Sequence, residues 1–397
     1  MSFTPLDTLK SHLNAIDTQG LRRVRRSVES VCQPHLVVDG KPMLAFNSND
    51  YLGLASHPLV VEALKEGASL YGAGSGASHL ISGHSQAHDR LEELLASMLS
   101  PYLPSVRVLS FSTGYMANLG VLSAMADMAK GDITFFSDAL NHASLIDGIR
   151  LTRSACQIYA HADIADLSLK LSSCQSGNKV VVTDGVFSMD GDTAPLKEML
   201  ALCEQHGAWL LVDDAHGFGV LGDTGAGVLQ HFNLHSGQLI YMGTLGKAAG
   251  VSGAFIAAHE HFIEWMVQRS RPYIYTTASA PALAHALLSS LRLIRADEGR
   301  RRRAHLQNLI QQLSTAPVPA GWTRMHSTTA IQPLVIGSNA QVLRASADMQ
   351  SKGIWITAIR APTVPVNTAR LRITLSASHT SHDVDRLVRA LSFESIS

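Results

Sequence analysis

The 397 residues exceed what a single hydrophobic core usually supports, so a large domain with a smaller one is expected. Hydrophobic residues make up 46% and charged ones 16%, which excludes general disorder. Lys+Arg and Asp+Glu both number 32, so no global field draws the chain to nucleic acid or to an acidic membrane, and the expected ligand is small.

The opening stretch "MSFTPLDTLKSHLNAIDTQG" lacks the charged start and apolar core of a signal peptide, and no run of eighteen apolar residues follows. A cytoplasmic location is expected. The four cysteines, Cys32, Cys156, Cys174 and Cys203, show neither a C-x-x-C pair nor zinc spacing. They are expected to be buried thiols, with no bound metal. "YGAGSGASHLISG", residues 71–83, invites a dinucleotide-loop reading that fails, because Ala77 stands where the last glycine is needed and no buried strand precedes it.

From about residue 106 to 260, β-rich runs alternate with helical stretches: "VRVLSF", "ITFFSD", "CQIYA", "KVVVTDG", "AWLLVDD", "LIYMG" and "AFIAA". This alternation predicts an α/β fold with a mostly parallel sheet. Several runs end in polar or glycine clusters, and such clusters converge where ligands bind, beyond the carboxyl ends of the strands. Residues 284–314 carry Leu287, Leu291 and Ile294, then Leu306, Leu309, Ile310 and Leu313, at helical spacing, which predicts one long amphipathic helix or two in line. The basic run Arg300 to Arg303 reads as a solvated face of that helix. "STAPVPAGWTRMHSTT" then breaks the chain before a small α/β unit in which "RLRITLSA" is a strand.

Five places along this chain carry chemistry. "FSTGYMANLG" runs a strand through Thr113 and Gly114 into a helix start, whose free N–H groups suit a phosphate. His142 in "SDALNHASL" follows the next strand, as ligand or as structural imidazole. Ser188 in "DGVFSMDGD" offers a hydroxyl, although Asp190 and Gly191 also suit a tight turn. "WLLVDDAHGFG" ends a strand in Asp213, Asp214 and His216, and strand alternation turns the two aspartates to opposite sides. One faces a ligand and the other structure, unless one merely caps a helix. "GTLGKAAGVSGA" sets Lys247 among small residues that leave its amine open to a flat ligand, with Thr244 nearby.

Together these groups match the needs of pyridoxal 5'-phosphate: an amine for its aldehyde, a carboxylate for its ring nitrogen, and a helix start with hydroxyls for its phosphate. Neither a G-x-x-x-x-G-K-[ST] loop nor a G-x-S-x-G elbow offers a competing reading.

In this order, "NSNDYLGL", "GSGAS", "STGYMANLGVL", "LNHASLIDG", "DGVFSMDGD", "VDDAHGFGVLG", "GTLGKAAG", "YIYTTASAP" and "TAIRAPTVPVNTARLRITLSASHT" resemble the fold-type I pyridoxal-phosphate enzymes, and within them the α-oxoamine synthases. The resemblance implies an N-terminal arm over 1–45, a large cofactor-binding domain over 46–285 and a small C-terminal domain over 286–397. It implies that Lys247 binds the cofactor covalently, Asp213 pairs with the pyridinium nitrogen, and His142 stacks on the ring. His216 and Ser188 then reach the phenolic oxygen or phosphate, and Gly114, Tyr115 and Thr244 hold the phosphate. Thr277 matches a threonine given by the second subunit, which implies a homodimer. Asn49 and Arg372 match binders of the amino-acid carboxylate, with Arg360 nearby. Arg22, or a neighbour in "RRVRR", and Thr357 match contacts to the acyl substrate or product.

The C-terminal stretch is most similar to family members that condense L-alanine with a pimeloyl thioester, carried on coenzyme A or a carrier protein. Sister activities such as 2-amino-3-oxobutyrate CoA ligase share the cofactor residues, and a non-catalytic phosphate-ligand binding protein shares the scaffold.

Overall fold

The structure, a computed structural model, describes residues 4–392. It divides into two compact units, one of Met1–Ser48, Met189–Gly191 and Asn308–Ser397, the other of Asn49–Ser188 and Asp192–Gln307. The N-terminal residues join the C-terminal ones in the first unit, because Lys41–Ala45 pairs both with His35–Val38 and, in parallel, with Ile354–Trp355. A second sheet of this unit has the order Thr323–Arg324, Ile331–Gly337, Ala369–Thr374, Thr357–Ile359, all antiparallel. The expected strand "RLRITLSA" is its fully buried member.

The second unit is built on a seven-stranded sheet in the order Val106–Phe111, Ala254–His259, Leu239–Thr244, Trp209–Asp213, Asn178–Asp184, Ile133–Asp138, Ala155–Tyr159. Neighbours pair in parallel except Ala254–His259, which runs against both of its partners. The reason is connection length. Only residues 245–253 separate it from the preceding strand, too few for a crossover helix but enough for a reversal. Leu239–Thr244 and Ile133–Asp138 are buried along their whole length, as expected of a sheet covered on both faces. The fold is a mixed α/β layer structure, as the strand and helix alternation predicts.

The 284–314 segment forms two successive helices, Pro281–Arg295 and Asp297–Ser314. All seven apolar positions of the expected seam are buried. The basic run departs from the expected solvated face. Arg300 and Arg301 are exposed, but Arg303 is buried and donates to the carbonyls of Ile294 at 2.8 Å and Asp223. Arg302 donates to Glu298 and to the Leu52 carbonyl at 3.0 Å. Carbonyls at a helix end need donors, and an arginine one turn into the next helix reaches them. The cysteines also depart from expectation. Cys203 alone is buried, Cys174 is half-buried, and Cys32 and Cys156 are exposed. Cys156 lies on the outermost strand, where no neighbour covers it. No helix among the described residues is long and apolar enough to cross a membrane.

One imidazole fastens the sheet edge. His161 bonds Asp138 through Nδ1 at 3.0 Å and Asp192 through Nε2 at 2.9 Å. The two carboxylates push its pKa from the usual 6.5 up to about 10. Because the folded value lies above the unfolded one, the stabilisation is complete below about pH 6.5 and is lost as the pH rises through about 10. His161→Gln should therefore lower stability in urea melts at pH 6 by roughly 1–3 kcal/mol, and the gap to the native chain should shrink as the pH approaches 10.

Candidate active site

Five strand ends of the second unit deliver polar groups to one edge of its sheet. After Val106–Phe111, Thr113 caps the helix Gly114–Met128, its Oγ1 accepting from the Met116 amide at 3.2 Å. The amides of Gly114 and Tyr115 lie in the first turn, where no preceding carbonyl serves them. After Ile133–Asp138, His142 caps the helix Ala143–Thr152. Its Nδ1 meets the Ser144 hydroxyl at 2.7 Å, and its amide donates to Asp184 at 2.7 Å. Asp184 ends the next strand and Asp213 the one after it. Lys247 follows Leu239–Thr244 in the reversing loop.

These ends surround a cavity of about 200 Å³, lined by Gly114, Tyr115, His142, Ser144, Asp184, Asp213, Ala215, His216, Met242, Thr244 and Lys247. Seven of the residues expected at the site meet here. Asp213 is 3% exposed; its Oδ2 accepts from Asn118 at 2.7 Å and its Oδ1 from the Ala215 amide at 3.0 Å. Asp214 faces the other way, as strand alternation requires, and accepts from the Tyr241 hydroxyl at 2.6 Å and the Val228 amide at 2.8 Å. Gly227 makes room for it: its φ is +72°, and a Cβ there would stand 1.9 Å from Asp214 Oδ2. Burial pushes Asp214 up to about 7. Burial, reinforced by Asp213, holds Asp184 well above the usual carboxylate range. Burial also lowers the His142 pKa, with Asp213 opposing and Lys247 reinforcing the shift.

A hydrogen-bonded line leads to the lysine. Tyr51 Oη lies 2.5 Å from His216 Nδ1, and His216 Nε2 lies 2.9 Å from Lys247 Nζ. Tyr51 Oη also reaches Asn49 Oδ1 at 3.2 Å. The two proton arrangements along the line differ in whether Nζ donates or accepts.

The remaining expected residues stand elsewhere. Ser188 is half-buried beyond the strand Asn178–Asp184 and is not among the cavity's lining residues. Thr277 is exposed and bridges Ser78. In the first unit, Arg22, Thr357 and Arg360 line a cavity of about 530 Å³. There Arg22 pairs with Asp17 at 2.7 Å, and Arg360 donates to the Gly20 carbonyl. Arg372 is buried in its strand and donates to Thr374 at 2.8 Å.

Four residues of this constellation escape a sequence reading: Tyr51, Asn118, Ser144 and Asp184. Asn118 left one trace, a polar side chain four residues after Gly114 within an otherwise apolar helical run. The others depend on which strand ends become neighbours.

The donor set fits pyridoxal 5'-phosphate. A buried carboxylate and an amine line one cavity, an imidazole lines its wall, and unserved amides open a helix at its rim. Comparison with known proteins agrees. Over 386 residues, covering 97% of each chain, the sequence is 60% identical to the 8-amino-7-oxononanoate synthase of Bordetella petrii. It is 60% identical to the enzyme of that name from a Janthinobacterium species, over 96% of each chain. The fold superimposes with a TM-score of 0.89 on a serine palmitoyltransferase of S. paucimobilis solved with a PLP–myriocin aldimine, at 28% identity and covering 97% of this chain and 96% of that one. The aminotransferase class I and II profile matches residues 41–391, and the chain belongs to that family of pyridoxal-phosphate enzymes.

Proposed function

We propose that the protein condenses L-alanine with a pimeloyl thioester to give 8-amino-7-oxononanoate, a biotin precursor, releasing carbon dioxide and a free thiol. One observation carries the reading: Lys247, tied to His216, opens into the same cavity as the buried Asp213. The names of its relatives favour this activity over the glycine-using sister reaction.

Bound pyridoxal 5'-phosphate supplies an electron sink for the pair left when the amino acid's α-proton departs. The chain's residues do the rest. Asp213 would hold a proton on the ring nitrogen, and Asn118 and the Ala215 amide aim its carboxylate. Lys247 Nζ moves the α-proton, and His216 and Tyr51 set whether that amine arrives as donor or acceptor. His142, in the wall of the same cavity, would stack on the ring. Gly114, Tyr115 and Thr244 bind the phosphate, joined by Ser188 and by Thr277 of the partner subunit in a homodimer. Arg372 would take the amino-acid carboxylate, with Arg360 nearby in the same unit. Arg22 and Thr357 take the acyl chain, where a planar guanidinium suits the distal carboxylate.

Thiol release from pimeloyl-CoA, followed beside L-alanine, glycine and L-serine, tests the reaction. Release with alanine and a product of the expected mass is the predicted result; release only with glycine or serine moves the protein to a sister activity. Lys247→Ala should abolish that release, and borohydride should no longer fix the cofactor to the chain by mass spectrometry. Asp213→Asn should lower kcat by about 10²- to 10³-fold through lost electrostatic stabilisation. Tyr51→Phe should lower kcat about tenfold, the equivalent of one hydrogen bond of about 1.4 kcal/mol, with an unchanged thioester KM and a displaced pH profile.

A further inference from the structure

Nineteen histidines stand in the chain, and three of them gather at a place that the proposed reaction does not use. His79, His84 and His88 each offer one ring nitrogen, and these nitrogens lie within 4.8 Å of one another. The local backbone produces the gathering. His79–Gly83 forms a π-turn, closed by the Gly83 amide on the Ser78 carbonyl at 2.9 Å, and its five-residue period brings residue 84 back over residue 79. Only glycine fits at 83, where a Cβ would stand 2.0 Å from the Ala77 carbonyl oxygen. His88 then enters one turn later, at the start of the helix Gln86–Leu99.

The three rings form a nearly equilateral triangle, with centroids 5.1, 5.0 and 5.3 Å apart. His79 Nδ1 and His84 Nδ1 are 2.8 Å apart, so a single proton holds two nitrogens whose lone pairs converge. The outer contacts fix each ring. His84 Nε2 meets Asp89 at 2.9 Å, the carboxylate pairing that orients imidazole ligands. His88 Nε2 meets the Ser279 carbonyl at 3.1 Å, and its Nδ1 meets the Ser85 amide and hydroxyl at 3.1 Å. The His79 ring stacks on Tyr273, with centroids 4.8 Å apart and planes at 11°.

We propose that His79, His84 and His88 bind a divalent transition-metal ion, with Zn²⁺ the best match to three imidazoles and one open position. The ion replaces the proton shared by His79 and His84. Zinc–nitrogen bonds of about 2.0–2.1 Å set two ligand nitrogens about 3.3 Å apart, so these rings part by about half an ångström. His88 completes the set by giving up both contacts of one ring nitrogen, those of Nδ1 to Ser85 or those of Nε2 to Ser279, and Asp89 stays as the outer partner of His84. The ion holds together the π-turn and the first turn of the helix that follows it.

The test uses the untagged, cofactor-loaded protein, stripped with a chelator and titrated with zinc chloride by calorimetry. One ion per chain is expected, with a Kd of about 1 µM or tighter. X-ray absorption at the zinc edge should show three nitrogen neighbours at about 2.0 Å. Asp89→Asn should weaken binding about ten- to hundredfold, and His84→Gln should remove this site. The Asp89 side chain is 57% exposed, so Asp89→Asn should keep the native melting temperature without metal and separates loss of binding from loss of fold. Wild-type binding no tighter than about 1 mM, or a stoichiometry and affinity unchanged by His84→Gln, overturns the proposal.

Discussion

A carboxylate with 3% exposure at the end of a buried strand is costly to keep charged unless donors meet it. Asp213 has two, the Asn118 amide and the Ala215 backbone N–H, one for each oxygen. The first comes from a different helix, Gly114–Met128, so the pair of donors is complete only once that helix has docked against the strand. Asp214, one residue later, has a similar problem and a different solution. It is met by Tyr241 and Val228, and burial raises its pKa to about 7. Two adjacent acids thus acquire opposite tasks, one facing the cavity and one bracing the fold.

The reversed strand Ala254–His259 bears on the same site. Because it turns back after nine residues, the loop carrying Lys247 stays short and beside the other strand ends. A crossover helix there would have carried the lysine away. The short loop instead leaves its amine within reach of His216, whose ring Tyr51 fixes from the far side. The Lys247 amine is therefore positioned by a line of side chains drawn from residues 51, 216 and 247.

Much of this was legible in the residues. The runs ending in "STG", "DDAHG" and "GTLGK" marked strand ends with chemistry, and seven of the named candidates line one cavity. Alternation assigned Asp213 and Asp214 to opposite faces, as observed. The failures share a cause. Arg303 read as solvated because its partners are backbone carbonyls, which carry no sequence signature. Cys156 read as buried because nothing local says that its strand is the last in the sheet.

The sequence by itself determined which groups are available and the type of element that presents each one, since side-chain periodicity and turn chemistry act over a few residues. It also determined the cofactor class, because an amine, an acid and a helix start were each written in short motifs. Tertiary structure alone decided which strand ends became neighbours, and so brought Asn118 to Asp213, Asp184 to His142 and Tyr51 to His216. Those pairs span 42 to 165 residues of chain. Strand order and helix docking fix them through burial, which is non-directional and leaves no local pattern to read.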